Sequence, residues 1–372
     1  MTAEEKAAGE FMRKVMVVSG FLGSGKTTTM MALTNHLNQT GKKAAMISND
    51  LGRKGLADYR YSRAAGVVSE EISGECICFV TEDLVERLRR LCRDDGCEMI
   101  MSDIPGFGVG ALEHVYCRLR EQYPDECELA PFTVITEGAA LRKLMNKGNP
   151  TLPDEMRYLL RSQLLEGDLI VLNKADLYTA EERAEYEMFL RNLCPSVPVM
   201  TVSALTGEGI PGLADYLCSH ETAFPERDFG VTEEQFEAAF GKLSMYNCQY
   251  YAEVCCDDLD ANAYLTELAE EIRDRLAEKG YDIPHLKLFA QSENGDYCKA
   301  DLLGVKEEVI LTRKMKHRCV DLPVVLNTTS AADPVYLAKT IDESIRDVSG
   351  RYNLSVVVFY KECFGLNDEG RI

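Results

Sequence analysis

Gly20-Phe21-Leu22-Gly23-Ser24-Gly25-Lys26-Thr27-Thr28-Thr29 is the stretch that decides the fold of this chain. Gly20, four residues, then Gly25, Lys26 and Thr27 is the spacing of a phosphate-binding loop. The apolar run Val15-Met16-Val17-Val18 before it reads as a buried strand. Residues 27–39 after it read as a helix that stops at Gly41. Gly20, Gly23 and Gly25 let the backbone bend around Ser24, so that several N–H groups converge on one phosphate at the positive end of the helix that carries Thr28. Lys26 then reaches the β- and γ-phosphates and the Thr27 hydroxyl ligates Mg²⁺. A glycine-rich turn without a ligand would need neither the strand nor the helix. The expectation is a nucleoside triphosphate.

Outward from this loop, residues 11–225 alternate apolar strand candidates with amphipathic helix candidates. That is the pattern of an α/β domain with a mostly parallel sheet covered on both faces. Strands are predicted at 14–19, 43–48, 98–103, 132–137, 169–173 and 197–202, and helices at 81–93, 111–121, 155–165 and 181–192. Ligands bind such sheets at the carboxyl ends of the strands. After the second strand, Ser48-Asn49-Asp50-Leu51-Gly52 opens a segment that reads as a mobile switch loop to about residue 58. Asp50 there is either a carboxylate for Mg²⁺ or a second metal, or ordinary turn chemistry. After the third strand comes Asp103-Ile104-Pro105-Gly106. Asp103 suits Mg²⁺ through water, and the Gly106 N–H suits the γ-phosphate. After the fifth comes Asn173-Lys174-Ala175-Asp176. The Asp176 carboxylate can accept both N1–H and N2–H of guanine, Lys174 covers the base plane, and Asn173 ties this turn to the phosphate loop. After the sixth, Ser203-Ala204 offers a backbone N–H to the guanine carbonyl oxygen. In this order on successive strands, the four loops specify GTP over ATP.

The chain has 372 residues, enough for two domains. No apolar run approaches the roughly 18 residues of a membrane span, and the first 14 residues lack a signal-peptide layout. With 41 basic against 61 acidic side chains the net charge is −20, which argues against a nucleic-acid partner. Fourteen cysteines without a secretory signal fit reduced thiols in a cytoplasm. From Pro225 the rhythm changes. Residues 226–372 read as a smaller α+β domain close to a split βαβ layout with an extra strand. Its predicted strands are 244–254, 285–290, 297–303, 308–313, 319–325 and 354–360, and its helices 261–278 and 334–348. Adjacent Cys255 and Cys256 would face opposite sides of a strand, whereas His317 and Cys319 would share one.

These residues resemble the CobW-type GTPases, relatives of the urease and hydrogenase nickel-insertion GTPases. Gly20–Thr28 is similar to that family's phosphate loop, and Asn49-Asp50-Leu51-Gly52 to its switch segment. Gly74-Glu75-Cys76-Ile77-Cys78-Phe79 stands where the family carries Gly-Cys-x-Cys-Cys. One cysteine of three is replaced, aspartate stands at 103 where glutamate is usual, and no histidine-rich segment occurs. The resemblance implies a slow GTPase using GTP/GDP and Mg²⁺, with its cycle serving metal or corrinoid-cofactor handling. It implies a client metalloprotein or corrinoid-dependent enzyme as partner. Cys76 and Cys78 can share Zn²⁺, Co²⁺ or Ni²⁺, with Glu75, Asp50 or a second copy of the chain in a homodimer completing the set. Three alternatives stand beside this. The two cysteines pack at a helix start; the chain is a nucleotide-gated accessory to a corrinoid enzyme that carries no metal; or it is a small-molecule kinase.

Overall fold

The computed structural model describes residues 13–54, 57–106, 108–145, 154–223, 241–255 and 258–366. Its contacts form two compact units, Met1–Leu51 with Val67–Phe236, and Gly52–Gly66 with Glu237–Ile372.

The first unit is built on β1 (Arg13–Ser19), whose Val15 to Ser19 are all buried. Helix α1 (Lys26–Gln39) follows the phosphate loop. The sheet continues with β2 (Ala44–Asp50), β3 (Ser69–Ser73), β4 (Met99–Asp103), β5 (Cys127–Leu129), β6 (Thr133–Thr136), β7 (Leu169–Leu172) and β8 (Val199–Thr201). The strand order is β3-β2-β4-β1-β6-β7-β8, with β5 also on β1, and every pairing is parallel. A parallel sheet covered on both faces needs apolar strands, and β4 and β7 are buried throughout. Between the strands lie α3 (Thr81–Asp94), α4 (Arg118–Gln122), α5 (Gly138–Leu144), α6 (Asp154–Glu166) and α7 (Ala180–Leu193), and α8 (Ile210–Ser219) follows β8.

Two differences from the sequence reading have local causes. Strand β3, Ser-Glu-Glu-Ile-Ser, carries almost no apolar signal because it is an edge strand. Its register carries β2 two residues past the expected end, since Asn49 pairs with Ile72 and Asp50 with Ser73. The second difference lies at 111–121, where the expected helix opens as a π-helical turn, Leu112–Cys117. That turn aims Tyr116 into the sheet. β5 pairs β1 up to Val15 and β6 resumes at Val18, so the Val17 N–H lies between them and donates to the Tyr116 hydroxyl at 2.9 Å. A buried central N–H is thereby satisfied.

The second unit is an antiparallel sheet of β9 (Ser244–Val254), β10 (His285–Gln291), β11 (Tyr297–Leu302), β12 (Ile310–Arg313), β13 (Asp321–Ser330) and β14 (Leu354–Gly365), ordered β12-β11-β10-β13-β9-β14. Helices α9 (Ala261–Glu278) and α10 (Pro334–Arg351) complete a split βαβ pattern in which a β11–β12 hairpin, two strands rather than one, is inserted. Leu286, Leu288 and Ala290 face the helical core, and the alternation of a strand sends Lys287 and Phe289 to the other face. That second face holds α2 (Ala57–Ala64), the helix from the segment expected to be a mobile loop. Ala57 packs with Phe289 and Val325, and its N–H donates to Asn327 Oδ1 at 2.7 Å. Asp58 pairs with Lys287 at 2.5 Å and with buried Lys299 at 3.4 Å. Cys319 is buried, with its backbone bridged to Leu259, and His317 is exposed, its backbone N–H donating to Asp296. Cys256 lies outside the described residues. No helix among the described residues is long and apolar enough to cross a membrane.

Candidate functional site

The phosphate loop occupies the carboxyl end of β1. Gly25 closes it at φ 91°, a left-handed conformation, and a Cβ there would lie 2.3 Å from Asn173 Nδ2. Without that Cβ, Asn173 reaches Ser24 O at 2.9 Å. Lys26 spans the loop to Gly20 O at 2.8 Å, and Gly23 also has positive φ. The buried Ser24 Oγ has no hydrogen-bond partner among the described residues. Thr27 is buried in the first turn of α1, and Thr28 beside it is half-buried.

Gly106 is packed directly on this loop. A Cβ at 106 would lie 2.5 Å from Leu22 Cδ2 and 3.0 Å from Leu22 N. Asp103, at the end of β4, is buried and accepts the Asn49 N–H at 2.9 Å. The Thr27 hydroxyl and Asp103 carboxylate are hard oxygen donors, the kind Mg²⁺ takes. Asp50 ends β2, and its carboxylate accepts the Leu51 N–H at 2.7 Å, an ordinary turn contact.

The turn Asn173-Lys174-Ala175-Asp176 is tied to the phosphate loop through one side chain. Asn173 donates to Ser24 O and accepts the Ala204 N–H at 3.0 Å. The Ala204 N–H is one of those the Ser203-Ala204 turn offers, and here it goes to Asn173. Lys174 sits at φ 65°, a costly left-handed conformation for a side chain with a Cβ, with its ammonium 3.9 Å from Glu137. Tyr178 donates to Asn173 O at 2.6 Å and accepts the Gly138 N–H at 2.7 Å, which pins the turn to β6 and α5. Asp176 is exposed, with one oxygen held by the Ser203 hydroxyl at 2.5 Å.

Both cysteines of the loop before α3 lie in the core. Cys76 and Cys78 are 8 % and 6 % exposed. Their sulfurs are hydrogen-bonded to each other. The Cys78 thiol and N–H both donate to the Cys76 sulfur and hold it below the ordinary thiol value, against burial. The same bond and burial push Cys78 far up, so the pair loses its first proton from Cys76. Glu75 points its side chain to solvent. No group of three His, Cys, Asp or Glu side chains placed to hold a metal occurs among the described residues. Two thiols are therefore the donor set this unit offers, half of what zinc normally takes.

The residue the sequence reading left without a role is Asn49. Its backbone N–H goes to Asp103, while its side chain donates to Ile72 O at 3.1 Å and Glu75 O at 2.7 Å and accepts the Ile77 N–H at 3.0 Å. One buried asparagine thus joins Asp103 to the cysteine loop. Arg118, just past the π-helical turn, holds the same loop from another side by donating to Cys78 O at 3.1 Å.

Glu166 ends α6 in full burial. Its two oxygens accept the Gly110 N–H at 3.0 Å and the Leu112 N–H at 2.7 Å. Burial pushes its carboxyl up to about 7 against those bonds, with the charges of Glu113 and Asp168 adding to the rise and Cys78 also facing it. A folded value above the ordinary 4.5 means the native state holds the extra proton between the two. The stabilisation is full below about 4.5 and is lost as pH rises through about 7. Glu166→Gln removes this dependence. In melts from pH 5 to 8 the wild type is expected to lose on the order of 3 kcal/mol relative to the variant. Parallel pH profiles would contradict the assignment.

A phosphate-loop sequence between β1 and α1 on one parallel sheet defines a P-loop nucleotide-binding protein. More narrowly, the chain belongs to the CobW/HypB/UreG family, whose nucleotide-binding domain model matches residues 14–201. It is 26 % identical over 221 residues to a zinc chaperone CobW of Pseudomonas aeruginosa, covering 52 % of this chain and 57 % of that protein. It is 28 % identical over 177 residues to the zinc chaperone YeiR of Escherichia coli, covering 46 % and 49 %. The chain thus spans about half the length of the curated relatives it matches. Among solved structures, HypB from Helicobacter pylori in complex with nickel aligns at 15 % identity with a TM-score of 0.39, covering 59 % of this chain and 94 % of that one.

Proposed function

We propose that this protein binds GTP with Mg²⁺, hydrolyses it slowly, and uses the resulting cycle to load or release a transition metal, zinc first, for a client metalloprotein. The observation that carries the nucleotide half is Asn173. It joins Ser24 of the phosphate loop to Ala204, while Ser203 holds Asp176, so base and phosphate recognition are one rigid construction. Lys26, Mg²⁺ on Thr27 and Asp103, and the N–H groups of the loop would supply charge stabilisation, the main work in phosphoryl transfer. The metal half is supported by the Cys76–Cys78 pair, by its link to Asp103 through Asn49, and by the zinc-chaperone relatives. With two donors in hand, the remaining ligands come from the client or from a second copy of the chain.

One observation favours a second reading. The pair is buried and lacks a third donor among the described residues. In that reading the thiols pack, and the chain is a nucleotide-gated accessory to a corrinoid-dependent or other client enzyme, without cargo. Both readings need GTP. Competition binding with phosphate-release kinetics tests this: GTP is expected to bind about a hundredfold or more above ATP and to turn over slowly. Equal affinity for ATP and GTP would sink both and return the kinase alternative.

A further inference from the structure

We infer that Gln163 and Glu166 of α6 are positioning residues for GTP hydrolysis, bracing the loop after Asp103 so that Gly106 stays against the phosphate loop. The inference rests on the GTPase reading above and adds to it residues that no motif identifies.

The two side chains are three apart, hence on one face of α6. Gln163 is 1 % exposed, and its Nε2 donates to Gly106 O at 3.1 Å and to Gly108 O at 3.0 Å. Glu166 is fully buried and receives the Gly110 and Leu112 N–H groups. Both side chains are spent on backbone groups of one loop: carbonyls at its start, N–H groups at its end. Bonds to two orphan N–H groups at a helix start cap the π-helical turn that begins there. The loop so held is the one whose Gly106 touches Leu22 of the phosphate loop. Holding the Gly106 and Gly108 carbonyls fixes where this loop lies, and so keeps Gly106, whose N–H suits the γ-phosphate, against Leu22.

Burying a carboxyl group and a glutamine is unfavourable unless their bonds repay it. The Oε1 of Gln163 is buried with no hydrogen-bond partner among the described residues. A helix needing only to pack would carry leucine at both positions. The polar pair is costly for stability and useful for holding this loop.

The test measures kcat, and binding of GDP and of a non-hydrolysable GTP analogue, for Gln163→Met and Glu166→Gln. Methionine keeps the volume and removes both donors. Glutamine keeps the shape and can satisfy only one of the two N–H groups. GDP contacts the phosphate loop and base turn but has no γ-phosphate for Gly106 to meet. The expected result is a fall in kcat of tenfold or more, with weaker analogue binding and GDP affinity within twofold of wild type. Retained GDP binding also reports an intact fold. A kcat within twofold of wild type in both variants overturns the inference, as does equal weakening of GDP and analogue, which assigns the pair to structure alone. Wild-type protein that binds no GTP overturns the GTPase reading itself and the inference with it. Wild-type turnover unchanged in the variants overturns the brace only.

Discussion

Asp176→Asn is expected to cut GTP affinity by about a hundredfold or more and to make xanthosine triphosphate the preferred nucleotide. Guanine offers two N–H donors on one edge, and we propose the exposed Asp176 carboxylate, in the turn after β7, as their acceptor. Ser203 already holds Oδ1 at 2.5 Å, which fixes the plane of the carboxylate. An asparagine keeps the Ser203 bond through its own oxygen but turns an NH₂ toward the N2–H₂ of guanine. Two donors then meet, and an unpaired polar group in a site costs about 1–3 kcal/mol. Xanthine carries an oxygen at that position and accepts the NH₂. Competition with GTP, XTP and ATP reads the change directly. An unchanged order of affinities would remove Asp176 from base recognition.

The second large effect is expected from Cys76→Ser/Cys78→Ser. Under anaerobic reducing conditions, zinc affinity should fall by more than about a hundredfold, because serine hydroxyls stay protonated and hard where zinc prefers soft thiolates. The paired geometry adds a pH signature. Cys76 ionises with Cys78 still donating to it, so binding must expel the second, strongly held proton. Zinc affinity is therefore expected to weaken as pH falls. Equal zinc binding by the variant and the wild type would leave the pair as packing and favour the cargo-free reading.

How far these sites were legible in the sequence depends on where each signal lives. Gly25, Lys26, Asp103, Asn173 and Asp176 are local motifs whose spacing follows from chemistry, and each was readable before the fold. Strand β3 was not, because Glu70 and Glu71 on an edge strand look like loop. Missing β3 hid the extension of β2, and with it the position of Asn49 between Asp103 and the cysteine loop. The burial of Cys76 and Cys78 was equally hidden, since it comes from packing beside Ile72, Ile77 and Leu84 in the core rather than from neighbours in sequence. Ala57 and Asp58 read as switch loop because their partners, Asn327, Lys287 and Lys299, lie more than two hundred residues away. Gln163 and Glu166 carried no signal at all, since a polar pair on an amphipathic helix ordinarily faces water.

In the proposed cycle, nucleotide state governs metal at the cysteine loop through Asp103 and Asn49, with Arg118 holding that loop at Cys78 O. The most direct measurement is zinc affinity of the full chain saturated with Mg²⁺ and a non-hydrolysable GTP analogue, set against the same chain saturated with Mg²⁺ and GDP. A difference of tenfold or more between the two states, abolished in Cys76→Ser/Cys78→Ser, is the expected result. Identical affinities in the two states, or zinc binding that survives in the variant, would contradict it.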